Sequence, residues 1–239
     1  MASLEITGLR KNYGGVVALA GIDISIDAER ITGIIGPNGS GKTTLFNVVA
    51  GGVRPTAGRV TWRGEDITGR PSHRVARLGL IRTFQQAMSF PALTVRDNVR
   101  IGCENGRRGR NAGRWGSADE ILQFVGLHGL SGALAGSLSF GNLRRLGLAV
   151  ALGAEPALLL LDEPAAGLSD SEGAALTELI LRFPPSGIGV CVIDHDMVLM
   201  GAICDRFIVL NFGTKIAEGD PQAVLHDPKV LDVYLGTGT

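Results

Sequence analysis

The sequence lacks a net charge, a long apolar run and paired cysteines, and each absence narrows what the chain can be. Lys plus Arg number 23 and Asp plus Glu number 23, so no global field is available to hold a nucleic acid or an acidic membrane surface. A nucleic-acid partner is therefore not expected. The longest apolar runs, such as Ala157–Leu161 and Ile188–Ile193 (interrupted by Gly189), fall far short of the roughly 20 residues of a spanning helix. The N-terminus has no basic segment followed by an apolar core and a small-residue cleavage site, so no secretory signal is expected. Three cysteines, Cys103, Cys191 and Cys204, are odd in number and widely spaced, which reads as ordinary buried thiols in a reducing compartment. The expectation is a cytosolic chain of 239 residues, long enough to bury a substantial core as one large domain or two small lobes.

What is present centres on Gly36-Pro37-Asn38-Gly39-Ser40-Gly41-Lys42-Thr43-Thr44. The spacing is G-x-x-x-x-G-K-T, between an apolar strand-like run (Ile31–Ile35) and an amphipathic helix-like run (Leu45–Ala50), the context a phosphate-binding loop requires. Glycines let successive backbone N–H groups turn inward on a polyanion, and the following helix points its N-terminus at the same phosphates. Lys42 supplies a full charge for the β- and γ-phosphates, and the Thr43 hydroxyl can ligate Mg²⁺.

Taken in order, Leu4–Leu9 and Ile22–Ile26 alternate with a period of two and predict an opening antiparallel sheet. Tyr13 falls between them in a predicted loop, where its ring can stack on adenine or simply sit on the surface. Gly79–Phe84 predicts a strand ending in Gln85. That amide can ligate Mg²⁺ through its carbonyl oxygen and hold a water near the γ-phosphate, or merely face solvent. A Gly- and Arg-rich stretch, Gly106–Gly116, separates two predicted helices (Thr94–Arg100 and Ala118–Val125) and reads as a solvated charge run, with Trp115 as a packing anchor. Ser139 is a plausible N-cap for a helix over about Asn142–Leu152. The hydroxyl- and glycine-lined start of that helix, Ser139 to Gly141, is equally a second anion-binding surface. Ala157–Leu161 predicts a buried central strand with Asp162 and Glu163 at its carboxyl end, where ligands of open parallel sheets sit. Asp162 there can hold a Mg²⁺ shell, and Glu163 can orient or deprotonate a water. Gly187–Ile193 predicts the next strand, which leads to His195, a candidate donor to the γ-phosphate.

Tyr13, Gly36–Thr44, Gln85, Leu138–Asn142, Asp162-Glu163 and His195, in this order and spacing, resemble the ATP-binding cassette ATPases across nearly the whole chain. The resemblance implies an adenine-stacking aromatic (Tyr13), Walker A, the glutamine loop (Gln85), the signature helix (Ser139, Gly141), Walker B with a catalytic glutamate (Asp162, Glu163) and a switch histidine (His195). It further implies an α/β P-loop cassette with a parallel-sheet core and an antiparallel β lobe (about 1–89 and 156–239) and a helical lobe (about 90–155). ATP and Mg²⁺ are the implied cofactors. A second cassette, either a copy of this chain or a paralogue, would cover the bound nucleotide. Within that family, Arg82-Thr83-Phe84-Gln85, Leu161 to Leu168, His195-Asp196-Met197 and Tyr234-Leu235-Gly236 look like the ATPase subunits of branched-chain amino acid importers, some of whose relatives move urea, short amides or aromatic acids. This implies integral membrane permease partners, a periplasmic or extracellular solute-binding protein acting indirectly, and a place on the cytoplasmic face of the membrane. Three departures stand out: Phe140 and Asn142 within the signature, Ser169 where an aspartate is common, and a short glycine-rich segment between Val99 and Ala118.

Overall fold

Two sheets of opposite habit carry the chain. The computed structural model describes residues 3–83, 89–106 and 113–235. The first sheet is antiparallel, with strand order β2-β1-β4-β5, built from β1 (Ser3–Tyr13), β2 (Val16–Asp27), β4 (Ala57–Trp62) and β5 (Glu65–Asp66). β1 and β2 are longer than their alternating cores because register shifts near Gly8 and Gly21 let pairing continue to Tyr13↔Val16. Tyr13 therefore ends a strand rather than lying in a loop, and Gly14-Gly15 makes the turn.

The second sheet has the order β10-β9-β3-β8-β7-β6. Its strands are β3 (Ile31–Ile35), β6 (Leu80–Arg82), β7 (Leu158–Asp162), β8 (Gly189–Ile193), β9 (Arg206–Asn211) and β10 (Thr214–Gly219). All neighbours pair in parallel except the β9–β10 hairpin. Strands β3, β7 and β8 are buried at every residue, which explains their unbroken apolar runs: both faces are covered. Leu158, Leu160, Cys191 and Ile193 pack toward the antiparallel sheet and α1 (Lys42–Val49). Leu159, Leu161, Val190 and Val192 pack instead into the helical side.

That helical side includes α3 (Val95–Gly106), α4 (Ala118–Phe124) and α5 (Phe140–Gly153), which lie between β6 and β7 in the chain and share a core through Val95, Val99, Ile121, Leu122, Leu146 and Leu152. Gly102 allows α3 to meet α5 closely, since a Cβ there would collide with the Val150 carbonyl. Trp115 packs edge-on against Phe124 with ring centroids 4.9 Å apart. Arg114 is not a solvated charge: its guanidinium donates to the carbonyls of Pro156 (2.5 Å) and Gly187 (2.9 Å), and burial holds it below the usual arginine range. Arg107, Arg108 and Arg110 lie outside the described residues. The remaining helices are α2 (Ser72–Arg77), α6 (Asp170–Leu181), α7 (Met197–Ile203), α8 (Pro221–Leu225) and α9 (Pro228–Leu235). Burial raises the Cys191 thiol well above its ordinary range and pushes Cys204 up to about 12, so both stay protonated and inert.

Candidate functional site

Strands β6, β7, β8, β3 and β9 all point the same way, so their carboxyl ends form one edge. Register places Asp162 opposite Ile193, and Ile193 opposite Ile34. The loop after β3, the acids at the end of β7 and the histidine after β8 thus emerge side by side from strands that share no local sequence. Glu163 is tied to this edge by its own N–H, which donates to the Ile193 carbonyl at 2.7 Å, and it adopts a positive φ of 47°.

The loop Gly36–Gly41 turns through positive φ at Gly36 (147°), Gly39 (80°) and Gly41 (107°). At two of these positions space as well as φ requires glycine. A Cβ on Gly36 would meet the Leu210 carbonyl, and one on Gly41 would lie 2.7 Å from the Ala18 carbonyl. Ser40 is buried and anchors the loop through Gly213, whose N–H donates to the Ser40 carbonyl at 2.9 Å. Asn38, Gly39 and Thr43 face outward. Helix α1 then begins at Lys42 with no side-chain cap and no acid in its first turn, so its leading amides are available to an anion. Lys42 Nζ curls back to donate to the carbonyls of Gly36 (2.6 Å) and Pro37 (2.9 Å). Burial lowers its pKa, while Glu163 and Asp162 act in the opposite direction. Its charge therefore already senses both acids of the neighbouring strand end.

Asp162 is buried and accepts from Arg82 Nη2 at 2.7 Å. Arg82 Nη1 donates to Asn47 Oδ1 of α1 at 2.6 Å. Arg144 of α5 lies on the other side, donating to the Ala166 carbonyl at 3.2 Å and sitting 5.0 Å from the Phe140 ring. Burial lowers the Arg144 pKa and Glu163 counteracts that. His195 stands at the rim, 74% exposed, with Nδ1 3.7 Å from buried Asp194. Tyr13 is 46% exposed and has Lys11 Nζ 4.8 Å from its ring centroid. Gln85 lies outside the described residues.

Helix α5 starts differently. Ser139 caps it by accepting from the Asn142 N–H at 3.3 Å. The α6 helix opens with a reciprocal capping box between Ser169 and Glu172, so Ser169 here serves a helix start. Hydrogen bonds from the Ser169 backbone and hydroxyl hold the Glu172 carboxyl below its ordinary range, and the carboxyl lies against Gly141, where a Cβ would collide with it. Sequence reasoning overlooked Arg82, Asn47 and Glu172. The S-x-x-E spacing of Ser169 and Glu172 was a usable signal for α6, whereas nothing local links Arg82 to an acid 80 residues away.

The residues fit a nucleoside triphosphate. The loop turns at glycines, two of which have no room for a side chain, it leads into an uncapped helix start, and a lysine and two acids stand beside it. Mg²⁺ also fits the donor chemistry of one hydroxyl, Thr43, and one carboxylate, Asp162, since this ion takes few protein ligands and shares phosphate oxygens. Fold and site together define a P-loop nucleoside triphosphatase. The sequence model of the ABC transporter family matches residues 19–166, and the chain belongs to that family as an ATP-binding cassette ATPase. A second model, the branched-chain amino acid ATP-binding cassette transporter, matches residues 214–239.

The chain is 35% identical to the high-affinity branched-chain amino acid transport ATP-binding protein BraF of Pseudomonas aeruginosa, covering 98% of this chain and 97% of that protein. It is 36% identical to the probable branched-chain amino acid transport ATP-binding protein LivG of Archaeoglobus fulgidus, covering 99% and 96%. Among solved structures, the ADP conformation of MJ1267, an ATP-binding cassette of an ABC transporter, superposes with a TM-score of 0.88 at 32% identity over 99% of both chains. A dimeric post-hydrolysis cassette, MJ0796 bound to ADP and Pi, gives 0.78 at 25% identity over 91% of this chain and 98% of that one. Among the described residues no helix is long and apolar enough to cross a membrane.

Proposed function

We propose that this chain is the ATP-hydrolysing subunit of a membrane importer for branched-chain or related amino acids. The observation that carries the reading is the shared strand edge, where the glycine cradle, Asp162-Glu163 and His195 emerge together. The cargo class is supported by the names of the full-length relatives and by the match at residues 214–239.

In this reading Gly36, Asn38, Gly39, Ser40, Gly41, Lys42 and Thr44 hold the phosphates through backbone amides and the lysine charge. Tyr13 stacks on the adenine. Thr43, Asp162 and Gln85 would hold Mg²⁺, which would supply positive charge to the phosphates. Glu163 orients the attacking water and takes its proton as the water oxygen bonds to the γ-phosphorus and the bond to the bridging oxygen breaks, releasing ADP and phosphate. His195 donates to the γ-phosphate from the rim. Catalysis of this kind is mostly positioning and charge stabilisation, which suits a site assembled from rigid strand ends.

Ser139 and Gly141 of a second cassette, a copy or a paralogue, cover the nucleotide, and hydrolysis lets the pair separate. The helical region 90–155 acts as a lobe of its own, and the Phe84–Phe90 segment, whose residues 84–88 lie outside the described residues, receives a helix of the membrane permease. The solute-binding protein acts only through that permease, on the far side of the membrane, and the cassette works at the cytoplasmic face. Glu163→Gln tests the central assignment: ATP binding is retained while turnover falls by about 10²–10⁴-fold, the usual worth of a general base. Wild-type turnover by this variant removes Glu163 from the mechanism.

A further inference from the structure

Arg82 ends the edge strand β6, and its guanidinium is mostly buried, with 13% of the side chain exposed. One arm bonds Asp162 Oδ2 at 2.7 Å, the other bonds Asn47 Oδ1 at 2.6 Å, and the group lies 6.0 Å from the Phe46 ring centroid. Asn47 and Phe46 belong to α1, the helix that begins with Lys42 and Thr43. The guanidinium is a planar fork that stays charged at any working pH and cannot bend to suit its partners. Its two arms therefore fix the distance between α1 and the end of β7, and they fix the rotation of the Asp162 carboxylate. The backbone supports this from below. Arg82 pairs in register with Leu160, and the Thr83 N–H donates to the Leu160 carbonyl at 3.0 Å.

We infer that Arg82 is a positioning residue for metal-bound nucleotide: through Asn47 and Asp162 it sets the spacing and orientation of the Thr43 hydroxyl and the Asp162 carboxylate. The inference rests on the reading of those two groups as Mg²⁺ donors. A pair that served only to hold the fold together would place no special demand on the metal. A pair that aligns two metal donors affects nucleotide affinity only when the metal is present.

The test is the affinity of a fluorescent ATP analogue with Mg²⁺ and with excess EDTA, for the wild type, Arg82→Lys, Arg82→Gln, Asn47→Ala and Asp162→Asn. Wild-type affinity rises with Mg²⁺. Arg82→Gln lowers that Mg²⁺-dependent gain by about tenfold, the size of one charge-assisted hydrogen bond, and leaves the affinity in EDTA unchanged. Arg82→Lys gives a smaller loss, because an ammonium can reach Asp162 but has no second arm for Asn47. In turnover assays the half-saturating Mg²⁺ concentration rises more than the rate at saturating Mg²⁺ falls. Equal losses with and without Mg²⁺, or a lowered melting temperature with the gain intact, overturn the inference. Should Arg82→Gln fail to fold, Arg82→Lys and Asn47→Ala carry the same comparison. Asp162→Asn separates the two failures. If it keeps the full Mg²⁺ gain, the underlying assignment of Asp162 is wrong. If it loses the gain while the Arg82 and Asn47 variants keep it, only the role of Arg82 is wrong.

Discussion

Helices α1 and α5 both begin beside glycine, yet their first turns are completed in opposite ways. The α1 turn has no capping side chain and no acid of its own, and Lys42 is bent back onto the carbonyls of its own loop. The α5 turn is satisfied from within the chain by the Ser139 hydroxyl on Asn142, and the Glu172 carboxyl lies against Gly141, where a Cβ would collide with it. An anion reaching α1 meets unpaired donors, whereas one reaching α5 must displace a group of its own charge. The first arrangement suits a ligand held by the single chain. The second suits a ligand that arrives already bound to something else and competes with an internal stand-in.

The largest effect separating the two ends is expected for Lys42→Met. Loss of a preorganised charge on the transferred phosphate lowers turnover by about 10²–10³-fold, and it weakens ATP binding to the single chain, as equilibrium titration with a fluorescent nucleotide will show. Gly41→Ala comes next, because φ of 107° and the Ala18 carbonyl at 2.7 Å impose a cost of about 1–3 kcal/mol, read as a lower melting temperature and weaker nucleotide binding together. Ser139→Ala removes a cap worth about 1 kcal/mol. It lowers the melting temperature by a few degrees and leaves ATP binding to the single chain unchanged; a loss of that binding would erase the distinction between the two ends. The smallest effect is Glu172→Gln. Relieving like-charge competition at α5 should let the Glu163→Gln protein dimerise at about twofold to fivefold lower MgATP concentration, measured by light scattering. A shift to higher concentration would show that the carboxyl aids the partner's nucleotide.

These two ends also show what a sequence can disclose. The loop and helix start at α1 were legible because their requirements are local: glycines at fixed offsets, a lysine, and an apolar strand before them. The central strands were equally plain, since burial on both faces leaves runs such as Leu158–Asp162 almost wholly apolar. Ser139 as the α5 cap was legible for the same local reason. Helix α7 was missed because its short run, Met197–Ile203, follows a strand with only the Asp196 cap to mark the boundary. Arg82 gave no notice of Asp162, nor Glu172 of its place against Gly141, because these neighbours meet only through tertiary packing. Arg114 looked like one of several solvated arginines and proved to be anchored on two carbonyls, a distinction that composition does not carry.

The strand order of the main sheet has a consequence for how the protein is made. Ile31 of β3 pairs with Val190, about 160 residues further along, and Thr32 pairs with Arg206 on the other side. At about 5–20 residues per second, the cradle strand waits roughly 8–30 s for its first neighbour to be synthesised. The antiparallel sheet, by contrast, joins two hairpins, β1–β2 and β4–β5, through the β1–β4 pairing of Leu4 with Trp62, so all of it lies within residues 3–66 and can form early. Nucleotide binding is thus a property that a growing chain acquires only near its end. ATP at about 100 times its dissociation constant then adds about 2.7 kcal/mol to the finished fold and nothing to an unfinished one, so the cell's own nucleotide acts as a late selective stabiliser of complete chains.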